Sequence, residues 1–406
     1  MSPHDERTSR LLDVPGDLRI ESVEGMSSLE TAVGFVFGTE SPEPIRGGED
    51  RTASELVETL AALLVPALLR QPCIIEFSGG RDSSVLLAVA LMVARREGLE
   101  EPVAATKRHP GVSESREDEW QEGLVRHLGV TEWVKLDFED ELDLVGPLAQ
   151  QFLSRYGVVW PPMLWSMWPF LQLAKGGALV SGEGGDEMFG PRRSTPVARL
   201  LYEREMSKSV IKRSALAIAP RPFRQAVLSR HKEQPRVPWL RPRGLAAVTD
   251  LIRKERLAEP FDWPASLFWQ RSLRREAIFL RNAARLAAAA DVLRVAPFLE
   301  ASFLRALGRT GGRLGYASRT AVLRANFSGL LPDDVLCRST KAVFNRSWFA
   351  RHTRDFVARW DGSGVETDLV DPEVLRSEWS RERPNALSDA LLQSAWLAQT
   401  APPVRP

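Results

Sequence analysis

The sequence predicts an α/β protein in which a doubly wound parallel sheet is followed by a mostly helical C-terminal region. Between about residues 52 and 190, short apolar segments of strand length alternate with longer segments of helix length, which is typical of a parallel sheet covered on both faces. From residue 196 onward the spacing of apolar residues is mostly helical, and the alanine-rich residues 264–290 form the clearest helix. Two of the short strands open directly into glycine-rich turns.

The elements follow one another in a regular order. The predicted strands are 73–77, 103–107, 132–136 and 178–180, and the predicted helices are 53–69, 83–96, 116–128, 141–155 and 163–175. The strands are short apolar runs, whereas the apolar run 85–94 is long enough for a helix. Residues 1–50 show only strand-like fragments and are assigned to a vestigial or capping segment. The main domain is placed at 51–400, with the sheet in 51–195 and the helical region in 196–400.

Composition excludes several classes of function. The chain has 406 residues, 54 of them basic and 53 acidic, so no overall field favours a nucleic acid or a membrane as partner. Two cysteines without CxxC spacing, Cys73 and Cys337, predict reduced thiols in a cytoplasmic protein. The polar N-terminus is unlike a signal peptide, and the strongest apolar run, residues 60–69, is too short to span a bilayer.

The first glycine-rich turn reads Ser78-Gly79-Gly80-Arg81-Asp82-Ser83-Ser84 and lies between a strand and its helix. Glycines let the backbone approach an anion closely, and a helix start supplies free N–H groups and the positive end of the helix dipole. The string is not a Walker loop, because the Gly-Lys-[Ser/Thr] ending is missing. Asp82 suits a magnesium ion carried by a polyphosphate. The alternative is a plain Ser/Gly turn.

This turn resembles the pyrophosphatase (PP) loop of the N-type ATP pyrophosphatases. A second string, residues 179–190, reads Leu-Val-Ser-Gly-Glu-Gly-Gly-Asp-Glu-Met-Phe-Gly and resembles the signature of the asparagine synthetase family. The resemblance implies an adenine nucleotide α-hydrolase-like sheet that binds ATP and Mg²⁺, with the metal shared by Asp82 and Asp186. The residues it assigns to the nucleotide are Ser78, Gly79, Gly80, Asp82, Ser83, Ser84, Ser181 and Gly182. Thr106 ends the second strand where the family places the nucleotide, and an ordinary strand-end threonine is the alternative.

A third segment extends the resemblance. Residues 319–324 and 330–344 are similar to the family run that reads Leu-Arg, then Leu-Pro, then Arg-x-x-Lys-x-x-Phe. The family's lysine falls on Lys341, which the resemblance assigns to stabilising the acyl-adenylate and the transition state of amide formation, and Arg338 is assigned to the nucleotide. The alternative for a lone lysine is a solvated surface cation. Residues 369–376 and 386–397 resemble actinobacterial asparagine-synthase-like proteins, which include lasso-peptide cyclases.

Glu183 matches the family glutamate at the site of amine attack, where β-lactam synthetase has a tyrosine. A carboxylate near an incoming ammonium group can take its proton, so Glu183 is the candidate general base. The alternative is a loop glutamate that pairs with Arg192 or Arg193.

The segment before Pro297 departs from the family pattern. Ala284, Leu293 and Val295 stand where the family has Asp, Glu and Arg. A site for aspartate should not lose these charges, so the acceptor site is predicted to be remade. Since no N-terminal cysteine nucleophile is present and only about seventy residues precede the first loop, no glutaminase domain is expected.

The leading interpretation is a ligase that adenylates a carboxylate, releases pyrophosphate and transfers the acyl group to an amine. The expected substrates are small-molecule or peptide carboxylates and amines. The variants left open are a macrolactam-forming peptide cyclase, an ammonia-dependent asparagine synthase, a tRNA-modifying enzyme and a non-catalytic homologue. A basic stretch is either a solvated loop or a docking surface for an acidic peptide or carrier protein; its cations are Arg221, Arg224, Arg230, Lys232, Arg236, Arg241 and Arg243.

Overall fold

A five-stranded, all-parallel sheet forms the centre of the protein, which confirms the predicted α/β class. The computed structural model describes residues 11–40, 53–111, 118–230, 236–338 and 345–400. The strands are β1 (Cys73–Glu76), β2 (Val103–Arg108), β3 (Trp133–Asp137), β4 (Ala178–Val180) and β5 (Leu293–Val295). Their order in space is β3-β2-β1-β4-β5.

Helices surround this sheet. In the first half of the chain they are α1 (Ser28–Val33), α2 (Ala53–Leu68), α3 (Arg81–Glu97), α4 (Asp118–Leu128), α5 (Pro147–Tyr156), α6 (Trp168–Leu173), α7 (Gly185–Met188) and α8 (Thr195–Tyr202). They continue as α9 (Lys208–Ile218), α10 (Arg221–Arg230), α11 (Pro242–Ala258), α12 (Trp263–Arg271), α13 (Arg274–Ala289) and α14 (Ala301–Gly311). The last are α15 (Arg319–Phe327), α16 (Asp333–Cys337), α17 (Asn345–Trp348), α18 (Arg351–Arg359), α19 (Pro372–Trp379) and α20 (Asp389–Thr400). None of the helices in the described residues combines the length and the apolar character that crossing a membrane requires.

The chain changes direction across the sheet between β1 and β4. From β1 it moves outward through β2 and β3, and it then returns to the other side of β1 with β4 and β5. The register pairs Ile75 with Val180, so the two central strands end side by side. Ligands of open α/β sheets bind at such a reversal, beyond the carboxyl ends of the strands. Both glycine-rich turns therefore emerge at the same edge of the sheet.

Both faces of the sheet are buried. Ile74 and Leu179 belong to one hydrophobic core, whereas their neighbours Ile75 and Val180 belong to a second core on the opposite face. Successive side chains of a strand point to opposite faces, so a strand buried on both sides is a continuous apolar run. This double burial explains why β1 and β4 are recognisable in the sequence.

Strand β5 lies in a segment for which no strand is predicted. It has only three residues, each only partly buried, and Arg294 interrupts its apolar character. The segment predicted as one helix over 264–290 forms two helices, α12 and α13, with a break at Ser272 and Leu273. Leu273 instead forms an antiparallel bridge with Thr39 of the N-terminal segment. Tertiary pairing thus overrides helix propensity at this point.

The N-terminal segment, residues 11–40, is fastened to α13 by charged and polar contacts. Arg281 donates to both carboxylate oxygens of Glu24 (2.6 and 2.7 Å) and of Glu40 (both 2.7 Å). Fully buried Asn282 accepts the backbone N–H of Glu24 at 2.9 Å and donates to the carbonyl of Trp160 at 2.7 Å. The N-terminal segment, predicted to be vestigial or capping, is therefore packed against a helix of the main domain.

The basic stretch between Arg221 and Arg243 is not a single solvated loop, which was one of its two interpretations. Its described parts are helix α10, the non-helical residues 236–241 and the start of helix α11. Arg224 is buried and donates to the carbonyl of Arg256 at 2.6 Å. Arg241 lies 3.8 Å from a carboxylate oxygen of Asp371, and Lys232 lies outside the described residues. Of the six cations in the described part of this stretch, Arg224 is buried and the other five are exposed, so a docking role for the stretch stays a prediction.

Candidate functional site

A cavity of about 1280 Å³ opens beyond the carboxyl ends of β1 and β4. Both glycine-rich turns line it, together with residues from the end of β2, from α12 and α13, and from the N-terminal segment. The residues predicted to bind the nucleotide that line this cavity are Ser78, Gly80, Asp82, Ser83, Ser181, Gly182 and Arg338. The fold thus brings three distant stretches of sequence to one place.

The first loop is held in shape by donors to its carbonyl groups. The side chains of Trp120 and Gln121 on α4 donate to the carbonyls of Gly79 and Ser78, each at 2.9 Å. Arg338 donates to the same Gly79 carbonyl at 3.2 Å and lies 4.6 Å above the Trp120 ring. Gly79 has a positive φ of 75°, and a Cβ there would come within 2.8 Å of Gln121. Only glycine suits that position.

The predicted nucleotide-binding residues Gly79, Ser84 and Thr106 support the loops and are not among the residues lining the cavity. Ser84 is fully buried, and its hydroxyl donates to the carbonyl of Gly80 at 2.7 Å. The hydroxyl of Thr106 donates to the Phe77 carbonyl at 2.5 Å and accepts from the Trp133 indole at 2.9 Å. Its neighbour Lys107 faces the cavity instead.

Asp82 and Asp186 converge on one guanidinium group. Arg319, at the start of α15, forms an ion pair with each of them. Burial raises the pKa of Asp82, while the charge and the hydrogen bond of Arg319 oppose that shift. A Cβ on Gly185 would lie 2.4 Å from the carboxyl carbon of Asp82, so the second loop approaches the first as closely as glycine permits. The two predicted metal ligands are therefore neighbours.

These two carboxylates suit a magnesium ion. No group of three or more His, Cys, Asp or Glu side chains among the described residues could hold a metal ion by itself. Mg²⁺ commonly takes one or two carboxylates from the protein and completes its octahedron with phosphate oxygens and water. Asp82 and Asp186, next to a loop of anion-binding type, match that pattern.

Glu183 is paired with an arginine that the sequence analysis did not single out. Arg294, on edge strand β5, forms an ion pair with the Glu183 carboxylate, and its side chain is only 4% exposed. Burial lowers the pKa of Arg294 to about 10. The expected alternative partners are engaged elsewhere, since Arg192 donates to Gln270 at 2.9 Å and Arg193 donates to backbone carbonyls. The sequence signal that could have pointed to Arg294 is its position as an isolated arginine between the apolar residues Leu293 and Val295.

Four aromatic side chains are among those that line the cavity, and we call the part of the cavity that they line the acceptor lobe. They are Phe35, Trp160, Phe170 and Phe279. Phe35 comes from the N-terminal segment, and its ring meets that of Trp160 edge to face at a centroid distance of 6.0 Å. Arg275 lies 4.8 Å above Phe35. Apolar walls with a few placed polar groups are typical of sites for organic ligands.

Charged groups in the acceptor lobe are largely desolvated. Lys107 donates to the Ser166 carbonyl at 2.7 Å, and burial lowers its pKa although Glu76 opposes the shift. Burial, together with repulsion from Glu187, raises the pKa of Glu276 to about 7. Perturbed carboxyl and ammonium groups within a cavity are typical of functional sites.

Lys341 lies outside the described residues, so its assignment as the catalytic lysine stays a prediction. Arg338, three residues earlier, is described; it contacts the first loop and lines the cavity. No sequence expectation about residues 339–344 is tested by the described contacts.

Comparison with known protein families identifies the family to which the chain belongs. The family model for asparagine synthase matches residues 67–399 of the chain. The match includes both glycine-rich turns, strand β5, Arg319 and Arg338. No curated protein matches the chain.

Proposed function

Since the chain belongs to the asparagine synthase family of ATP-dependent synthetases, we propose that it adenylates a carboxylate, releases pyrophosphate and transfers the acyl group to an amine. The observation that carries the proposal is the meeting of Asp82 and Asp186 at the reversal between β1 and β4. A free carboxylate does not acylate an amine at neutral pH, so the reaction needs an activated leaving group.

The first loop and the start of α3 would hold the phosphates of ATP. Arg81, Asp82 and Ser83 form the first turn of this 17-residue helix and line the cavity. The N–H groups and the dipole of a helix start favour an anion at that position. Asp82 and Asp186 would hold Mg²⁺, which neutralises phosphate charge when bound. Arg319, which pairs with Asp82, and Arg338, which donates to the Gly79 carbonyl, add positive charge next to this loop.

Glu183 is proposed to receive the proton that the attacking amine loses. It lies in the second loop, next to Ser181 and Gly182, and its carboxylate is oriented by Arg294. Its backbone N–H donates to the Ser181 hydroxyl at 3.3 Å, which fixes the loop around it. A positioned carboxylate at this place can act as a general base once the amine enters the acceptor lobe.

The acceptor lobe favours a substrate with a bulky apolar group. Phe35, Trp160, Phe170 and Phe279 offer apolar surface, and a small zwitterion such as aspartate cannot use it. The cavity volume of about 1280 Å³ also exceeds the ordinary range for one ligand, about 300–1,000 Å³. It is large enough for ATP together with an organic acid or a peptide end. A peptide cyclase is therefore favoured over ammonia-dependent asparagine synthesis.

ATP–pyrophosphate exchange tests this proposal. The intact chain is incubated with Mg-ATP, labelled pyrophosphate and a panel of aspartate, hydrophobic amino acids, aryl-alkyl acids and short peptides. Exchange that depends on an apolar acid or a peptide is expected, with AMP as the nucleotide product of complete turnover. Exchange driven efficiently by free aspartate would return the chain to asparagine synthesis. Release of ADP and orthophosphate would refute the adenylation chemistry.

A further inference from the structure

The helices that follow the second loop carry an exposed apolar surface. Eight large hydrophobic side chains are exposed among the described residues, and six of them lie between residues 201 and 223. They are Leu201, Tyr202, Met206, Ile211, Ile218 and Phe223. Exposed apolar side chains are usually scattered over a folded domain, so their concentration marks a contact surface. We call this surface of residues 195–230, which includes α8, α9 and α10, the arm surface.

Helix α9 shows how the arm surface is built. One stripe of the helix packs against the protein and consists of Val210, Ser214 and Ala217. Ile211 and Ile218, seven residues apart, share a different face and are exposed. Exposed Lys208 and Lys212, four residues apart, lie on the adjoining side of the helix. The helix thus has one packed face, and its solvent-facing side carries an apolar stripe beside a basic one.

The arm surface is anchored to the second loop. Arg193, three residues after Gly190, donates to the carbonyl of Ala217 at the end of α9 (2.9 Å). Its backbone N–H also donates to a carboxylate oxygen of Glu259 at 2.8 Å. Buried Arg224 fixes α10 to the carbonyl of Arg256. These contacts preform the surface next to the loop that carries Glu183 and Asp186.

Charge defines the partner. Within residues 195–230 one carboxylate, Glu203, is exposed, against six exposed cations: Arg204, Lys208, Lys212, Arg213, Arg221 and Arg230. We propose that the arm surface docks an acidic polypeptide segment that also carries apolar side chains. Such a segment would place carboxylates on the cations, which sets orientation and rate of encounter, and apolar side chains on Ile211, Ile218 and Phe223.

An anionic membrane is the other partner that basic and apolar side chains could meet. A helix that lies in a membrane interface separates a continuous apolar face from a charged face. The exposed apolar side chains of the arm surface are instead divided among three short helices and the turn after α8, and exposed cations lie between them in the sequence. This division matches a polypeptide that presents both kinds of side chain, and it fits the acyl region of a bilayer poorly.

Selection from a random 12-residue peptide display library tests the proposal. The intact chain serves as bait, and enriched peptides are synthesised and measured by fluorescence anisotropy. The expected peptides combine an excess of Asp and Glu with apolar residues. Their affinity should fall at least tenfold in Lys208→Glu/Lys212→Glu and in Ile211→Ser/Ile218→Ser, and it should fall with rising salt. These side chains are exposed, so the variants should fold normally.

Leu69→Ser is the matched control, because Leu69 is an exposed leucine outside the arm surface, and this variant should bind the selected peptides like the wild type. Enriched peptides without an acidic excess, or peptides that bind the arm variants as tightly as the control, would overturn the proposal. Tighter binding to vesicles with 30% phosphatidylserine than to any selected peptide would assign the surface to a membrane. The readout is peptide binding, so failure of the proposed synthetase reaction would not affect it.

Discussion

Replacement of Arg319 by glutamine should let the protein bind a divalent cation without nucleotide. Arg319 forms ion pairs with both Asp82 and Asp186, the two carboxylates proposed to hold Mg²⁺. In the free protein its guanidinium group supplies the positive charge that these carboxylates need. A metal ion that arrives without phosphate must therefore displace Arg319, whereas one that arrives with ATP also brings an anionic partner for the released arginine.

The size of this effect follows from burial. The carboxylate of Asp82 is 16% exposed and that of Asp186 is 48% exposed. A hydrogen bond to a charged group contributes about 1.5–3 kcal/mol when it is buried, and an exposed pair contributes little. The contact with Asp82 thus dominates, and its loss corresponds to a gain of about 10- to 150-fold in metal affinity.

Mn²⁺ binding, followed by electron paramagnetic resonance at pH 8 without nucleotide, measures the gain. An alkaline pH is chosen because burial raises the pKa of Asp82 and a higher pH favours its ionised form. Arg324→Gln is the control, because Arg324 lies on the same helix and pairs with exposed Asp333. Adding Asp82→Asn to Arg319→Gln should abolish the gain. Equal Mn²⁺ affinity in the wild type and in Arg319→Gln would refute the reasoning.

The remaining predictions concern turnover and pH. Asp82→Asn should abolish pyrophosphate exchange in a protein that remains folded, since the change removes a proposed metal ligand and keeps the shape of the side chain; normal exchange would exclude a metal role. Lys341→Ala should lower kcat by orders of magnitude and change the Kd for ATP only several-fold, and unchanged kcat would contradict its assignment. Because the pKa of Glu276 rises from 4.5 to about 7 on folding, the folded state retains a proton, and this group's contribution to stability is lost as pH rises from about 4.5 to 7. Glu276→Gln should therefore raise the free energy of unfolding at pH 8 by up to ~3 kcal/mol, and denaturant titrations that show no gain over the wild type would contradict the burial effect.

The parts of the fold that the sequence predicts are those whose structure depends on neighbouring residues in the chain. Strands β1 and β4 are buried on both faces, so each is a continuous apolar run next to glycines, and such runs can be found without tertiary information. The first loop was equally predictable from the sequence, because Gly79 takes a positive φ and Asp82 lies in the first turn of a helix. Strand β5 escaped prediction because three half-buried residues that include an arginine carry no strand pattern.

The sequence by itself determined the class of sheet, the two glycine-rich loops and the carboxylates Asp82 and Asp186, because spacing and residue type fix local backbone geometry. The tertiary structure alone decided which charges face them. Arg319 meets Asp186, which lies 133 residues earlier, and Arg294 reaches Glu183 from the edge strand. Phe35 becomes a wall of the acceptor lobe only because the N-terminal segment packs on α13. Long-range ion pairs and packing depend on where the whole chain places each residue, and no local pattern records them.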